Sequence, residues 1–318
     1  MVQWRRNLDE LIREGDDSVA AIAEFLGTKE DTIFETAESQ LLGFNSTREA
    51  LLDALTRIGG SQAITVMADV LANTKTPAEV AMLARNLEAL APEAYRQQAV
   101  SAARGSLAVA MDEPAAETDV APLFEVLLQF GGVEATTDLE RVASHWGHYA
   151  TLALAEIPDG AGVPSLLRIA DSPAGRLPHP ARLQALQVIA QLAPSNEQAR
   201  TSLLALARED GIPAPLWPYL ARPLGGEQAR LQNPLLDAEA APSEDSNAGV
   251  VHITKGNQNL IWTKVEGGLT AQQQAELTSL LRELAAVTKD PDGQRILQQT
   301  QARIEQGNAR ISGIPRSD

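Results

Sequence analysis

Cysteine is absent from this 318-residue chain. Its absence excludes disulfides, thiolate metal sites and cysteine nucleophiles together, and leaves the redox compartment open. Aromatic residues make up only 4% of the chain, and the Val-, Ile- and Thr-rich runs are few and short, so little favours extended sheets. Positive charge is in deficit: 26 Lys and Arg stand against 42 Asp and Glu, a formal net charge of -16. Such a surface repels phosphate backbones, which argues against nucleic acid as a partner. No run of about 18 apolar residues occurs, so no membrane span is expected. The opening MVQWRRNLDELIREGDD carries two arginines, but no apolar signal-peptide core follows them. A soluble chain in the cytoplasm is the expectation.

Alanine and leucine are abundant, and 44% of the residues are hydrophobic, which favours helices around a sizeable core. The apolar residues recur in a rhythm. In ARLQALQVIAQLAP, Arg182, Ala185, Ile189 and Leu192 follow one another at three and four residues and trace one helix face. In HYATLALAEIPDGAGVPSLLRIAD, Ala150, Leu154 and Ile157 precede a Pro-Asp-Gly turn, and Val163, Leu166, Leu167 and Ile169 follow it. TREALLDALTRIGGSQAITVMADVLAN has Leu51, Leu55 and Ile58, a stop at Gly59 and Gly60, then Ile64, Met67, Val70 and Leu71. Two stretches between these copies read as further helix pairs. The spacing from Leu51 to Ala150 is close to three units of about 33 residues, and each unit is too small to bury its own apolar stripe. Stacked neighbours sharing a continuous core are therefore expected, with Ala54, Ala153 and Ala185 buried where helices approach closely.

The stretch from Ser46 to Gly226, somewhat more than half the chain, resembles HEAT-type helical repeats. Pro164, Leu166, Leu167, Asp171, Arg182 and Ala185 match the order of that family's pattern, and Ala54, Leu55, Ile58 and Gly59 match the close of its first-listed helix. Ala81 and Gly147 stand where the family has an arginine, which breaks an uninterrupted Asp-Arg ladder. The resemblance implies a mostly α fold, an α-solenoid of HEAT-like helix pairs, and a concave face that binds other macromolecules.

The two ends differ from the middle. Residues 1–45 read as a helical cap of about three short helices, two of them opening on acidic residues at DDSVAAIAEFL and EDTIFETAESQLL. The repeat region spans 46–226, and the acidic Ala- and Pro-rich text of 227–249 reads as a linker. Residues 250–306 read as a module of a small β-hairpin, VVHITKGNQNLIWTKV, followed by a helical hairpin. The tail at 307–318 is expected to be disordered. A two-stranded hairpin is marginal in water, so the apolar face of Val251, Ile253, Leu260 and Trp262 needs a surface. The final helices, a partner strand, or a second copy of the chain forming a homodimer would supply one.

The census of reactive groups is short. His145 and His148 in SHWGHYA lie three apart, the spacing of paired metal ligands on a helix, but no third ligand stands near in sequence. They read better as sitting at a solvated helix start, while Trp146 and Tyr149 fill a gap between repeats. Trp217 and Tyr219 in LWPYLARP form either an aromatic contact patch or the seal at the end of the repeats. Paired carboxylates such as Glu156 and Asp159 read as solvated, and the Gly-Gly pairs as helix stops rather than phosphate loops. No catalytic, cofactor or metal site is assigned. The expectation is a non-catalytic scaffold or adaptor for a protein partner of basic charge, with His145, Trp146, His148, Trp217, Tyr219, Val251, Ile253, Leu260 and Trp262 as candidate contacts. The alternative is an enzyme of lyase or glycosylase type on a helical-repeat frame, which the acidic charge disfavours.

Overall fold

The computed structural model describes residues 2–28, 30–112, 119–172, 179–231, 263–264 and 268–311. The protein is mostly α-helical and divides into two compact units, Met1–Gly131 and Gly132–Asp318. The boundary falls inside the stretch expected to be one solenoid, so each unit is described by itself.

The first unit holds α1 (Val2–Glu14), α2 (Asp16–Gly27), α3 (Thr36–Leu42), α4 (Thr47–Ile58), α5 (Gly60–Asn73), α6 (Pro77–Leu90), α7 (Arg96–Asp112) and α8 (Ala121–Val126). The Ser46 side chain accepts from the Glu49 N–H and starts α4, and Gly59 ends it at φ 68, a backbone region that glycine enters without strain. The helix-break-helix reading of TREALLDALTRIGGSQAITVMADVLAN is therefore met. Helix α1 packs on α4, and α2 on α4 and α5, so the N-terminal helices cover the apolar ends of the following pair. Leu52, Leu55, Met67, Leu71, Leu83 and Leu87 are fully buried between α4, α5 and α6 and their neighbours. Arg48 clasps this end of the unit. Its Nε lies 2.6 Å from Glu79 Oε1 at the start of α6, and its Nη1 donates to the carbonyl oxygens of Leu26 and Thr28 at the end of α2.

One expected helix start lies elsewhere. EDTIFETAESQLL does not enter a helix at its leading acids: Ile33 pairs with Ser46 in an isolated antiparallel bridge, and α3 begins only at Thr36. The β-branched Thr32 and Ile33 resist helix entry. Glu35 and Glu38 then form a reciprocal capping box that starts α3 at Thr36, five residues after Asp31.

The second unit holds α9 (Thr136–Val142), α10 (Gly147–Glu156), α11 (Val163–Ala170), α12 (His179–Leu192), α13 (Glu197–Arg208), the short α14 (Trp217–Leu220), β1 (Glu227–Gln228), β2 (Thr263–Lys264), α15 (Ala271–Val287) and α16 (Pro291–Ile311). Helix α12 is central: α10, α11, α13 and α14 all pack against it, while α15 packs on α13 and α16. Ala54 in the first unit and Ala153 and Ala185 in the second are fully buried, as helix proximity requires. Helices α10 and α12 approach closely. A Cβ at Gly147 would lie 2.8 Å from the Ala181 Cβ and 3.0 Å from its Cα. Gly147, read as a departure from the repeat pattern, is thus what lets the two helices meet. Arg182 donates to the Ala170 carbonyl oxygen at 3.4 Å.

The C-terminal readings change in two places. Thr263 and Lys264, the end of the second expected hairpin strand, pair antiparallel with Gln228 and Glu227, and the candidate contacts Val251, Ile253, Leu260 and Trp262 lie outside the described residues. The expected linker does not begin at Glu227: the chain through Leu231 is ordered, with Ala229 and Leu231 buried. Its polar composition suggested a free tether, but hydrogen bonds from α10 and α12 hold its backbone.

Substituting Gly147→Val should force α10 and α12 apart and lower stability by about 1–3 kcal/mol, as overpacking does in closely fitted cores. Gly27→Ala, where a Cβ meets nothing within 4 Å, should be neutral or slightly stabilising. Chemical unfolding of both variants measures the contrast.

Candidate functional site

Helix α12 carries glutamines at 184, 187 and 191, a spacing of three and four residues that places them along one face. Gln184 and Gln187 are almost fully buried, an expensive position for an amide unless it is hydrogen-bonded. Each reaches a different group. Gln184 Oε1 lies 3.2 Å from His148 Nδ1 on α10, a pairing that requires the proton on that nitrogen. Gln187 Nε2 donates to the Tyr219 carbonyl oxygen at 3.2 Å. Gln191 makes two bonds to one residue: its Nε2 donates to the Ala229 carbonyl at 2.9 Å, and its Oε1 accepts from the Ala229 N–H at 2.8 Å.

The chain held in this way is extended and alternates like a strand, with Ala229 and Leu231 buried and Arg230 exposed. The Leu231 N–H donates to Glu156 Oε1 at the end of α10 at 2.9 Å. Desolvation at that carboxyl end raises the Glu156 pKa, while the residue as a whole remains exposed, so solvent screening keeps its effect on stability small. Upstream, β1 pairs with β2, and a shallow cleft of about 90 Å³ runs beside it, lined by Gln191, Ser195, Glu227, Gln228, Gln273 and Glu276 among others. Of these three amides only Gln191 bonds the extended backbone; Gln184 meets the His148 ring, and Gln187 a carbonyl within the short helix α14.

The candidate residues from the sequence fall in different places. His145 is exposed in the turn before α10, with Ser144 Oγ 3.0 Å from its Nδ1, whereas His148 lies inside the first turn of α10 and is half-buried. The two do not share a helix face. Among the described residues no group of three or more His, Asp or Glu side chains could hold a metal ion. Trp146 sits at the N-terminal boundary of α10, half-buried. Trp217 is not a surface contact: it is 1% exposed, and its indole lies against Gly293 at the start of α16. Tyr219, two residues on, is 51% exposed. The short proline-broken helix α14 buries Trp217 and Leu220, three apart, and so leaves Tyr219 outside. The glutamine ladder went unnoticed in the apolar pattern, although its spacing stands in ALQVIAQLAP and the residues before it. The signal was a polar residue recurring at helical intervals beside the alanines that face the core.

The protein is mostly α, and its second unit holds an extended stretch of chain by the Gln191 amide and the Glu156 carboxylate. Compared with known proteins, it matches no family model, no curated protein and no solved structure.

Burial pushes the His148 imidazole below its ordinary value, and the bond from Gln184 opposes this only in part. In the unfolded chain the imidazole takes up its proton near about pH 6.5, so below that pH the unfolded state binds more protons than the folded one. Stability associated with His148 is therefore present above this value and lost as the pH falls through the window beneath it. The stability of the natural chain relative to His148→Gln should be larger at about pH 7.5 than at about pH 5.5, as measured by urea unfolding at both.

Proposed function

We propose that this chain is a non-catalytic scaffold or adaptor that holds an extended segment of a protein partner along the glutamine ladder of α12. The observation that carries this reading is the double hydrogen bond between the Gln191 amide and the backbone of Ala229. A side-chain amide that satisfies both backbone groups of one residue recognises main chain of any sequence, as strand-adding sites do. Selectivity comes from the alternation: a small residue in place of Ala229 and an apolar one in place of Leu231 face inward, with a free position between. The chain's own segment fills the ladder, and a partner segment of the same pattern would compete for it. In this reading the helix pairs are HEAT-like units, the net charge of -16 favours a basic partner, and the cytoplasm is the place of action. A second copy bound through the C-terminal module is the alternative occupant.

A peptide containing Ala-Arg-Leu in extended flanks, titrated against the full chain, tests the proposal. It should bind weakly to the natural protein, whose ladder is filled. Ala229→Pro removes the N–H that the internal segment gives to Gln191 and should tighten binding by about tenfold, the worth of roughly one hydrogen bond. Adding Gln191→Leu to that variant should abolish the gain. No gain in Ala229→Pro, or a gain that survives Gln191→Leu, rejects the ladder as the binding site.

A further inference from the structure

The first unit carries an open strand edge whose surroundings specify a ligand, and this inference does not depend on the ladder. The edge is at Ile33. In the antiparallel bridge to Ser46, the Phe34 N–H donates to the Asn45 carbonyl and the Thr47 N–H to the Thr32 carbonyl. Those bonds flank Ile33 and leave it as the non-hydrogen-bonded member of the pair, so its own N–H and C=O are directed away from Ser46. Among the described residues no hydrogen bond engages either group. The edge is short and exposed, and it carries a large apolar side chain: Ile33 is 72% exposed while Phe34, on the other face, is buried and meets Trp4 edge-on at 5.2 Å between centroids. Leu41, within the same excursion of chain from Thr32 to Thr47, is 65% exposed.

The charge around it selects the occupant. Alternation along the strand puts Asp31, Ile33 and Glu35 on one face, and all three are exposed. Glu30 and Glu38 add to the negative charge; Lys29 stands immediately before this stretch, and no Lys or Arg occurs from Glu30 to Thr47. The nearest arginine, Arg48, is committed to Glu79 and to the Leu26 and Thr28 carbonyls. Asp31 accepts from the Arg48 backbone N–H and Glu35 from the backbone of α3, so both carboxylates are held in place rather than free to swing away. A second copy of the chain is a poor occupant: antiparallel self-pairing about Ile33 sets Asp31 opposite Glu35 on both sides, and like charges directly opposite destabilise a strand pair.

We propose that the Ile33 edge docks an extended segment of a basic protein partner by strand addition, with the pattern basic-x-apolar-x-basic. The apolar residue pairs across from Ile33 and exchanges two backbone hydrogen bonds with it, and the flanking Lys or Arg side chains stand opposite Asp31 and Glu35.

The probe is a capped heptapeptide, Thr-Arg-Thr-Val-Thr-Lys-Thr, added to the isotope-labelled full chain and followed by nuclear magnetic resonance. Expected are a shift and slowed hydrogen exchange at the Ile33 amide, weakening several-fold between low and physiological salt, and no response to the peptide with Glu in place of Arg and Lys. Ile33→Pro removes only the outward donor and keeps the Phe34 and Thr47 bonds, so it should abolish binding with an unchanged thermal unfolding curve. A peptide N-methylated at its valine, which tests the same pairing without altering the protein, should also fail to bind. The proposal is overturned if the Ile33 amide does not respond, if the acidic or N-methylated peptide binds equally well, or if the Ile33 signal changes with protein concentration alone, which would mean self-association.

Discussion

The second unit depends on how closely α10 can approach α12. Gly147 leaves no side chain at the point where the helices meet, and Ala181 fills the space opposite. Two polar links made by α10 lie along that contact. With the axes this near, His148 in the first turn of α10 reaches Gln184, and Glu156 at the far end of α10 reaches the same extended segment that Gln191 holds from α12. A larger residue at 147 would separate the helices by a fraction of their spacing, and hydrogen bonds, which weaken steeply with distance and angle, would respond along the whole pair.

The same economy of backbone satisfaction appears in both units. Among the described residues, side chains take up main-chain groups at several helix ends and connections: Arg48 the carbonyls at the end of α2, Ser106 the Lys75 carbonyl at 2.6 Å, Gln187 the Tyr219 carbonyl and Gln191 the backbone of Ala229. Buried main-chain groups without such partners would cost as much as a lost hydrogen bond each. Long side chains on rigid helices are well suited to this, because the helix holds the donor while the irregular chain adapts to it. The property that stabilises the protein's own extended segment is also the property a binding scaffold needs, and the reading of function grows from it.

Acidity gives the exposed faces their character. In the first unit the negative residues around Ile33 are anchored by backbone hydrogen bonds, so their field is fixed in direction. In the second the carboxylate of Glu156 likewise accepts from main chain, at the Leu231 N–H. The sequence counts all of these alike, as carboxylates in excess, and does not show which of them a backbone N–H reaches.

Local pattern was enough to determine the helical class, the glycine and proline breaks and the buried alanines at 54, 153 and 185, because apolar periodicity and turn chemistry act over a few residues. Helix α3 showed the limit of that reasoning: acidic residues suited a helix start, but a bridge between Ile33 and Ser46, distant neighbours in sequence, claimed the first part of the segment. The roles of Gly147 and of the glutamines on α12 were hidden for the same reason. A glycine that breaks a pattern and one that admits a neighbouring helix look identical until Ala181 is set against it, and an amide spaced along a helix is unremarked until a backbone arrives to bond it. Trp217 and Tyr219 share four residues of helix, yet one is buried and the other exposed, because only the packing of α14 against α12 and α16 decides which face is inside. Contacts between residues far apart in sequence are made by tertiary packing, and composition and spacing carry no record of which ones form.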